Sequence, residues 1–212
     1  MIHIKLLVFN AFQVNTWILY DDTAEAIIVD AGCSNSREER QVSDFMRERK
    51  LKLIRNIDTH CHIDHMLGND FIAKTYQVHP EYHEAGIPFF STSKEVAASF
   101  GFTLNGIPKP AGFIKEDDVI RFGSGALQVL YTPGHADCSV CLYCKQGDFV
   151  LSGDVLFRDS IGRTDLPTGN FDLLIRSIRE KLFTLPDETV VYPGHGPETS
   201  IGYEKRNNPF II

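Results

Sequence analysis

Five of the eight histidines in this 212-residue chain lie, with two aspartates, in four short turn-like segments. The densest segment, residues 60–65, offers three imidazoles and one carboxylate. The others are Pro133-Gly134-His135, Ser152-Gly153-Asp154 and Pro193-Gly194-His195. Each segment follows an apolar, β-branched run, which indicates a strand that ends in a loop. Because side chains at several strand ends can converge on one point, these residues predict a common site.

The side chains of this set favour a transition metal or zinc. Imidazole and carboxylate without thiolate suit zinc, iron(II) or manganese(II) better than calcium, which takes oxygen ligands. On an extended segment His60 and His62 project to the same side and can bind one ion together. The chain should then turn into a helix near Gly68, which carries Asp64 and His65 to the other side of that ion. Seven ligands are too many for one tetrahedral ion and suit two ions about 3.5–4 Å apart.

The alternative to metal binding is that these segments and histidines have only a structural role. Pro-Gly-His and Ser-Gly-Asp can be plain turns, and His3, His79 and His83 are interpreted as ordinary surface or core residues. The cluster at residues 60–65 is different, because so many polar groups are costly to bury without partners. We therefore predict metal binding at this cluster, and also at the three later segments because they occur together after strand-like runs.

At these residues the chain resembles the metallo-β-lactamase-fold hydrolases. The resemblance rests on the His-x-His-x-Asp-His pattern at residues 60–65 with the three later ligands in order, and it covers nearly the whole chain. It implies that Asp30, in Val29-Asp30-Ala31-Gly32, supports the site from outside the ligand sphere. It also implies one metal on His60, His62 and His135, a second on Asp64, His65 and His195, and Asp154 as a bridge.

Residues 160–165 and 194–199 are similar to the small glyoxalase II-like hydrolases of bacteria. Full glyoxalase II enzymes continue past the last histidine ligand into a helical domain whose basic residues hold glutathione, whereas seventeen residues follow His195 here. We therefore expect a single domain over residues 1–212, without a C-terminal glutathione-binding helical domain. Arg163 is then the best remaining anchor for an anion, and an ion pair with Asp165 is the alternative.

The expected reaction is hydrolysis of a small ester or thioester by a hydroxide that bridges two divalent metal ions. Two cations lower the pKa of bound water from about 15.7 toward neutrality, and one of them polarises the carbonyl group. Among the ligands, Asp64 and Asp154 are the catalytic candidates. Zinc is the expected metal, with iron or manganese as alternatives. A thiolate, with a pKa of about 8.5, leaves without much acid assistance, and no dedicated acid is evident outside the ligands, so thioesters are favoured.

The alternative function is that of a mononuclear iron(II) persulfide dioxygenase. Those enzymes share the fold, a similar histidine cluster and a stretch like Gly162-Arg163-Thr164-Asp165. They bind one iron on two histidines and one carboxylate, which here would be His60, His135 and Asp154. The segment that follows His195, residues 196–199, is more similar to the hydrolases than to the dioxygenases. Hydrolysis is therefore the preferred function.

Composition favours a cytoplasmic enzyme with a small-molecule substrate. Hydrophobic residues make up 43% of the chain, enough for a sizeable core in one domain. The net charge of −7 and the lack of a basic run argue against nucleic acid as a partner. Neither a secretory signal nor a membrane-spanning apolar stretch is evident. The sequence leaves the oligomeric state open.

The five cysteines are predicted to be reduced, since an odd number without a secretory signal is typical of a reducing compartment. Cys138, Cys141 and Cys144 resemble overlapping C-x-x-C pairs. However, residues 139–144 are typical of a strand, in which a spacing of three places sulfurs on opposite faces. A structural role as small buried side chains is therefore predicted. Cys33 and Cys61, beside the predicted site, are the candidates for reactive thiols.

Two sheets with helices outside them are the economical assembly of the predicted elements. This matches the α/β (α+β) four-layer αββα sandwich that the resemblance implies. One helix should follow a capping box at Ser36-Arg37-Glu38-Glu39, and a late helix should span residues 171–183 with Asn170 as its cap. Strands are predicted at residues 2–9, 14–20, 25–30, 51–57, 119–122, 126–131, 140–143, 149–151 and 190–192.

Residues 86–113 do not fit this regular pattern. They carry four glycines, three prolines and five phenylalanines. One interpretation is a loop with one short helix at residues 93–100. Its aromatic side chains would hold the loop against the rest of the protein. The other is a lid over the metals that gives the substrate an apolar wall. The sequence leaves both open.

Overall fold

Two six-stranded sheets lie at the centre of the structure, a computed structural model that describes residues 1–211. The first sheet has strands β1 (His3–Phe9), β2 (Val14–Tyr20), β3 (Glu25–Val29), β4 (Lys52–Ile57), β5 (Pro80–Tyr82) and β6 (Gly112–Phe113), in that spatial order. The second contains β7 (Val119–Phe122), β8 (Gly125–Tyr131), β9 (Val140–Cys144), β10 (Phe149–Gly153), β13 (Val190–Pro193) and β14 (Thr199–Ser200). A separate short hairpin joins β11 (Leu156–Phe157) to β12 (Ser160–Ile161).

Six helices accompany these sheets in the described part of the chain. They are α1 (Ser36–Glu48), α2 (Ile63–Met66), α3 (Asn69–Tyr76), α4 (Ile87–Ser99), α5 (Phe171–Ser177) and α6 (Ile201–Asn207). A 3-10 turn at Glu84–Gly86 precedes α4, and a π-helical turn at Ile178–Leu182 continues α5. Within residues 1–211, no helix has the length and apolarity needed to cross a membrane.

Alternating apolar residues cover both faces of each sheet. In β2, Trp17 and Leu19 pack into the core between the sheets, whereas Ile18 packs under α1. In the second sheet, Leu142 faces the same central core, and its neighbour Cys141 faces the helices α5 and α6. Both sheets therefore have an inner and an outer buried face. This layering confirms the predicted αββα sandwich.

The cysteines follow the same alternation. Cys141 and Cys144 belong to the cores on opposite faces of the second sheet, as their spacing predicts. Cys138 lies in a third cluster, together with Cys61 and residues of α2 and α4. All five thiols are free and buried. The predicted structural role of the three later cysteines agrees with this packing.

The start of α1 differs by one residue from the predicted capping box. Asn35, not Ser36, is the cap, because Asn35 is extended (φ −154°, ψ 164°) and its side chain accepts from the backbone N–H groups of Arg37 and Glu38. The carboxylate of Glu38 turns back to the N–H of Ser34. The capping chemistry is the predicted kind, displaced by one position.

One predicted helix start is wrong, and one predicted helix has the expected span but not a regular geometry throughout. Helix α4 begins at Ile87, not at residue 93, because Pro88 lies in its first turn, where a missing N–H breaks no helical bond. The late helix starts after Asn170 as predicted, but it is regular only to Ser177. Strands β5 and β6, with three and two residues, were too short to predict from periodicity.

Candidate metal centre

Loops at one edge of the two sheets bring together all seven predicted ligands. His60 and His62 follow β4, and α2 carries Asp64 and His65. His135 follows β8, Asp154 follows β10, and His195 follows β13. Strands β10 and β13 are parallel neighbours with Gly153 beside Pro193, so their ends deliver Asp154 and His195 side by side.

The first donor group consists of His60, His62 and His135. Each offers a ligand nitrogen, and these atoms lie within 4.8 Å of one another. The Nε2 atoms of all three are buried and have no hydrogen-bond partner. Because buried nitrogens normally have partners, three that face one point fit a bound cation.

The second donor group consists of Asp64, His65 and His195. Asp64 Oδ2 lies 3.5 Å from Nε2 of His65 and 3.2 Å from Nε2 of His195. The two Nε2 atoms are 3.3 Å apart. These distances suit three ligands of one ion.

Asp154 lies between the two groups. Its Oδ1 is 3.4 Å from Nε2 of His65, and its Oδ2 is 3.7 Å from Nε2 of His135 and 3.6 Å from Nε2 of His195. One carboxylate thus faces ligands of both groups, which is the geometry that a shared ligand of two ions requires.

Backbone carbonyl groups orient two of the imidazoles. Nδ1 of His135 lies 2.7 Å from the carbonyl oxygen of Arg163, and Nδ1 of His195 lies 3.0 Å from that of Phe12. A carbonyl oxygen only accepts, so each Nδ1 carries the hydrogen and each Nε2 directs its lone pair to the centre. Both rings are therefore held in the tautomer that binds a metal through Nε2.

Asp30 and Thr59 support the other two buried imidazoles. Nδ1 of His65 lies 3.0 Å from Asp30 Oδ2, and Nδ1 of His60 lies 3.2 Å from the hydroxyl of Thr59. That hydroxyl and the N–H of Thr59 both donate to the Asp30 carboxylate. Asp30 has a φ of +54°, an uncommon conformation for a residue with a side chain. The structure thus places Asp30 behind the ligands, where the resemblance implied it.

The electrostatics differ between the two donor groups. Burial, with the neighbouring imidazoles, lowers the pKa of His60 and lowers that of His62 to about 4. Burial opposes protonation of His65 as well, but Asp64, Asp154 and Asp30 raise its pKa well above the usual value. The first group therefore offers neutral imidazoles, and the second offers imidazoles beside carboxylates that compensate a cation's charge.

Two asparagines that the sequence did not single out fix the ligand loops. The side-chain amide of Asn15 donates to the carbonyl oxygens of Pro193 and Gly196, on either side of His195. Asn10 donates in the same way to Gly32 and to the carbonyl oxygen of Asp64. Their only sequence signal is an amide beside or within an apolar strand.

Arg163 contributes to the site through its backbone. Its exposed guanidinium forms two hydrogen bonds with Asp165, of 2.8 and 2.7 Å. Of the two roles predicted for Arg163, the structure shows the ion pair with Asp165 and not a free anion anchor. Only the backbone carbonyl group of Arg163 contacts a ligand, His135.

The expectation of reactive thiols beside the site is wrong. Cys33 and Cys61 are only 1% and 2% exposed. Burial raises the pKa of both thiols, so neither supplies much thiolate at neutral pH. The site depends on imidazole and carboxylate alone.

Replacing Gly194 with alanine tests the packing of the centre. A Cβ there would overlap Asp154 Oδ1 and lie 2.7 Å from Cε1 of His65. We expect Gly194→Ala to displace Asp154 and to lower bound metal and activity at least about tenfold. Gly112→Ala is the control, since nothing lies within 4 Å of its Cβ. Metal analysis and circular dichroism check this, and unchanged metal content in Gly194→Ala would contradict it.

Comparison with known proteins agrees with this geometry. The family model described as the metallo-beta-lactamase superfamily matches residues 9–195. A probable metallo-hydrolase of Bacillus subtilis, YqgX, is 35% identical over 200 residues, which cover 94% of this chain and 92% of that protein. The hydroxyacylglutathione hydrolase GloC of Haemophilus influenzae is 31% identical, with 99% and 98% covered.

Solved structures show the same fold over the whole length. The B3 metallo-beta-lactamase BLEG-1 superposes with a TM-score of 0.87 at 30% identity, covering 99% of this chain and 100% of that one. TTHA1623, solved in a di-iron-bound form, gives a TM-score of 0.86 at 30% identity, with 97% and 99% covered. With its histidine and aspartate cluster able to hold metals, the chain belongs to the metallo-beta-lactamase superfamily, as one of its metallo-hydrolases.

Proposed function

We propose that the protein is a binuclear hydrolase of small esters or thioesters, of the glyoxalase II-like type. The observation that carries the proposal is Asp154, whose two oxygens face ligands of both donor groups. Two divalent ions, when bound, supply a water of lowered pKa and an electrophile for the carbonyl group. The same seven residues are the proposed ligands, with zinc the first candidate metal and iron the second.

The ligand side chains would also orient the attacking water and leave a path for the substrate. Asp64 and Asp154 are 15% and 13% exposed, so both carboxylates can accept a hydrogen bond from the attacking water and orient it. His195 is 26% exposed and His62 is also incompletely buried, so the substrate approaches past these two ligands. The hydrogen bonds from His135 and His195 to carbonyl groups prevent their rings from rotating as substrate binds.

A thioester is proposed because the centre offers no evident proton donor for a poor leaving group. The partners of the ligand imidazoles are the carbonyl groups of Phe12 and Arg163, the Thr59 hydroxyl and Asp30. Each of them contacts an Nδ1 atom and not the Nε2 atom that faces the centre. A thiolate leaves without a strong acid, whereas an amide nitrogen requires protonation. The resemblance to GloC, whose name describes hydrolysis of a hydroxyacylglutathione, supports the same substrate class.

Metal analysis combined with two activity assays tests the proposal. Protein purified without chelators should contain close to two divalent ions per chain and should release thiol from simple thioesters. Removal of the metal should abolish that release, and added zinc or iron should restore it. The di-iron form of TTHA1623 supports two ions and gives a reason to test iron. One iron per chain with persulfide-dependent oxygen uptake would favour the mononuclear dioxygenase instead.

A further inference from the structure

Aromatic rings flank the two ligands through which the substrate approaches. The ring of Phe89 lies 5.4 Å from that of His62, edge to face. On the other side, the ring of Phe157 lies 6.4 Å from that of His195. Each of the two open ligands thus has an apolar ring beside it.

Three further rings lie beside this border, since Phe102 packs against the same apolar cluster as Phe89. Phe12, whose carbonyl oxygen binds His195, has its ring 5.2 Å from Phe100 and 5.9 Å from Phe102. Phe12 is 39% exposed and Phe100 is 56% exposed. Exposed aromatic side chains in mutual contact beside a reactive centre are typical of a binding surface for an apolar group. We call these five residues the aromatic rim: Phe12, Phe89, Phe100, Phe102 and Phe157.

The charges near the rim do not favour an anionic substrate group. The segments that carry the rim, residues 10–13, 86–102 and 156–165, contain three cationic residues. Arg163 is paired with Asp165, and Arg158 lies over the ring of Tyr203 with Asp159 at 3.9 Å. Lys94 is exposed in the middle of α4, next to Glu95. Among residues 1–211, no lysine or arginine side chain lies over a ring of the rim.

From this arrangement we infer that the aromatic rim binds an uncharged, apolar acyl group of medium length, and so sets the substrate class of the proposed thioesterase. The inference rests on the proposed function for the position of the scissile bond. We place the carbonyl carbon at the metals, so that the acyl chain extends past the ligands toward the exposed rings of Phe12 and Phe100. Burial of each methylene on these rings strengthens binding, whereas an acetyl group does not reach them.

A series of thioesters of one small neutral thiol, N-acetylcysteamine, separates the acyl group from the thiol. The acyl groups are acetyl, butanoyl, hexanoyl and glutaryl, the last ending in a carboxylate. For the wild-type protein loaded with zinc, we expect kcat/KM for hexanoyl to exceed that for acetyl at least about tenfold. We expect glutaryl to be poorer than butanoyl.

Variants of the rim then assign the preference to named side chains. In Phe100→Ala, and more strongly in Phe12→Ala with Phe100→Ala, the ratio of kcat/KM for hexanoyl to that for acetyl should fall severalfold. Truncation at Phe12 retains the carbonyl group that binds His195. Phe210→Ala is the matched control, since Phe210 is 50% exposed near the C-terminus and outside the rim. It should leave the ratio unchanged.

A binding measurement keeps this inference separate from the proposed function. Ketone analogues, in which a methylene replaces the thioester sulfur, are not hydrolysed, and calorimetry measures their binding to the protein. The hexanoyl analogue should bind at least about tenfold more tightly than the acetyl analogue. Turnover without dependence on acyl length, a preference for glutaryl, or an equal loss in Phe210→Ala would overturn the inference alone. Absence of turnover with length-dependent binding would overturn the proposed function and leave the rim as a binding surface.

Discussion

Asp154→Ala is expected to lose bound metal and to lower turnover by at least about a thousandfold. The physical reason is that one carboxylate faces ligands of both donor groups, at 3.4 to 3.7 Å. Without its charge, two dications bound at these groups would repel each other with only a bridging hydroxide between them to compensate. Metal analysis and thioester hydrolysis measure the two effects on the same preparation.

Two companion variants separate charge from packing. Asp154→Asn keeps the shape of the side chain and removes its charge, and it should lose metal nearly as completely. Asp44→Ala removes an exposed aspartate that pairs with Arg47 on α1, far from the centre, and should behave like wild type. Normal activity in Asp154→Ala with metal still bound would show that Asp154 is not the bridge.

His65→Ala is expected to lower the metal content from two ions toward one per chain and to lower activity by more than about a hundredfold. His65 is fully buried, and its Nε2 lies within 3.5 Å of both Asp64 and Asp154. In the mononuclear dioxygenase the iron would rest on His60, His135 and Asp154, and His65 would only support them. Loss of such a supporting group typically costs about 10–100-fold in metal affinity or activity.

The size of the effect therefore distinguishes the two mechanisms. Because a buried alanine can destabilise the fold, thermal denaturation and His65→Gln accompany the measurement. His79→Ala is the control, since His79 is exposed and contacts the carbonyl group of Lys109, away from the site. If His65→Ala keeps two metals and more than about a tenth of wild-type activity, the two-ion mechanism is wrong.

The ligands were predictable from the sequence because their chemistry is local. Residues 60–65 place donors at fixed spacing on a strand end and a helix start, and Asp154 and His195 each follow a recognisable buried strand. The layers were predictable for a similar reason. A strand with apolar residues on both of its faces must be packed against another layer of the protein on each side. These features depend on neighbours in sequence.

The supporting contacts were not predictable, because they join distant residues or use the backbone. The carbonyl groups of Phe12 and Arg163 accept hydrogen bonds from imidazoles. Because every residue has a backbone carbonyl group, the residue type does not indicate which one does so. Asn15 donates a hydrogen bond to the carbonyl oxygen of Pro193, which lies 178 residues away in the sequence. The start of α4 was missed for another reason: Pro88 looks like a helix breaker unless its place in the first turn is known.

The contact between Phe12 and His195, 183 residues apart in the chain, has a consequence for synthesis on the ribosome. The first donor group is complete once His135 has been made, whereas the second requires the chain to reach His195 and to pair it with the hairpin of β1 and β2. Such long-range closure forms late in folding. A nascent chain therefore contains the whole of the first donor group well before it contains the whole of the second.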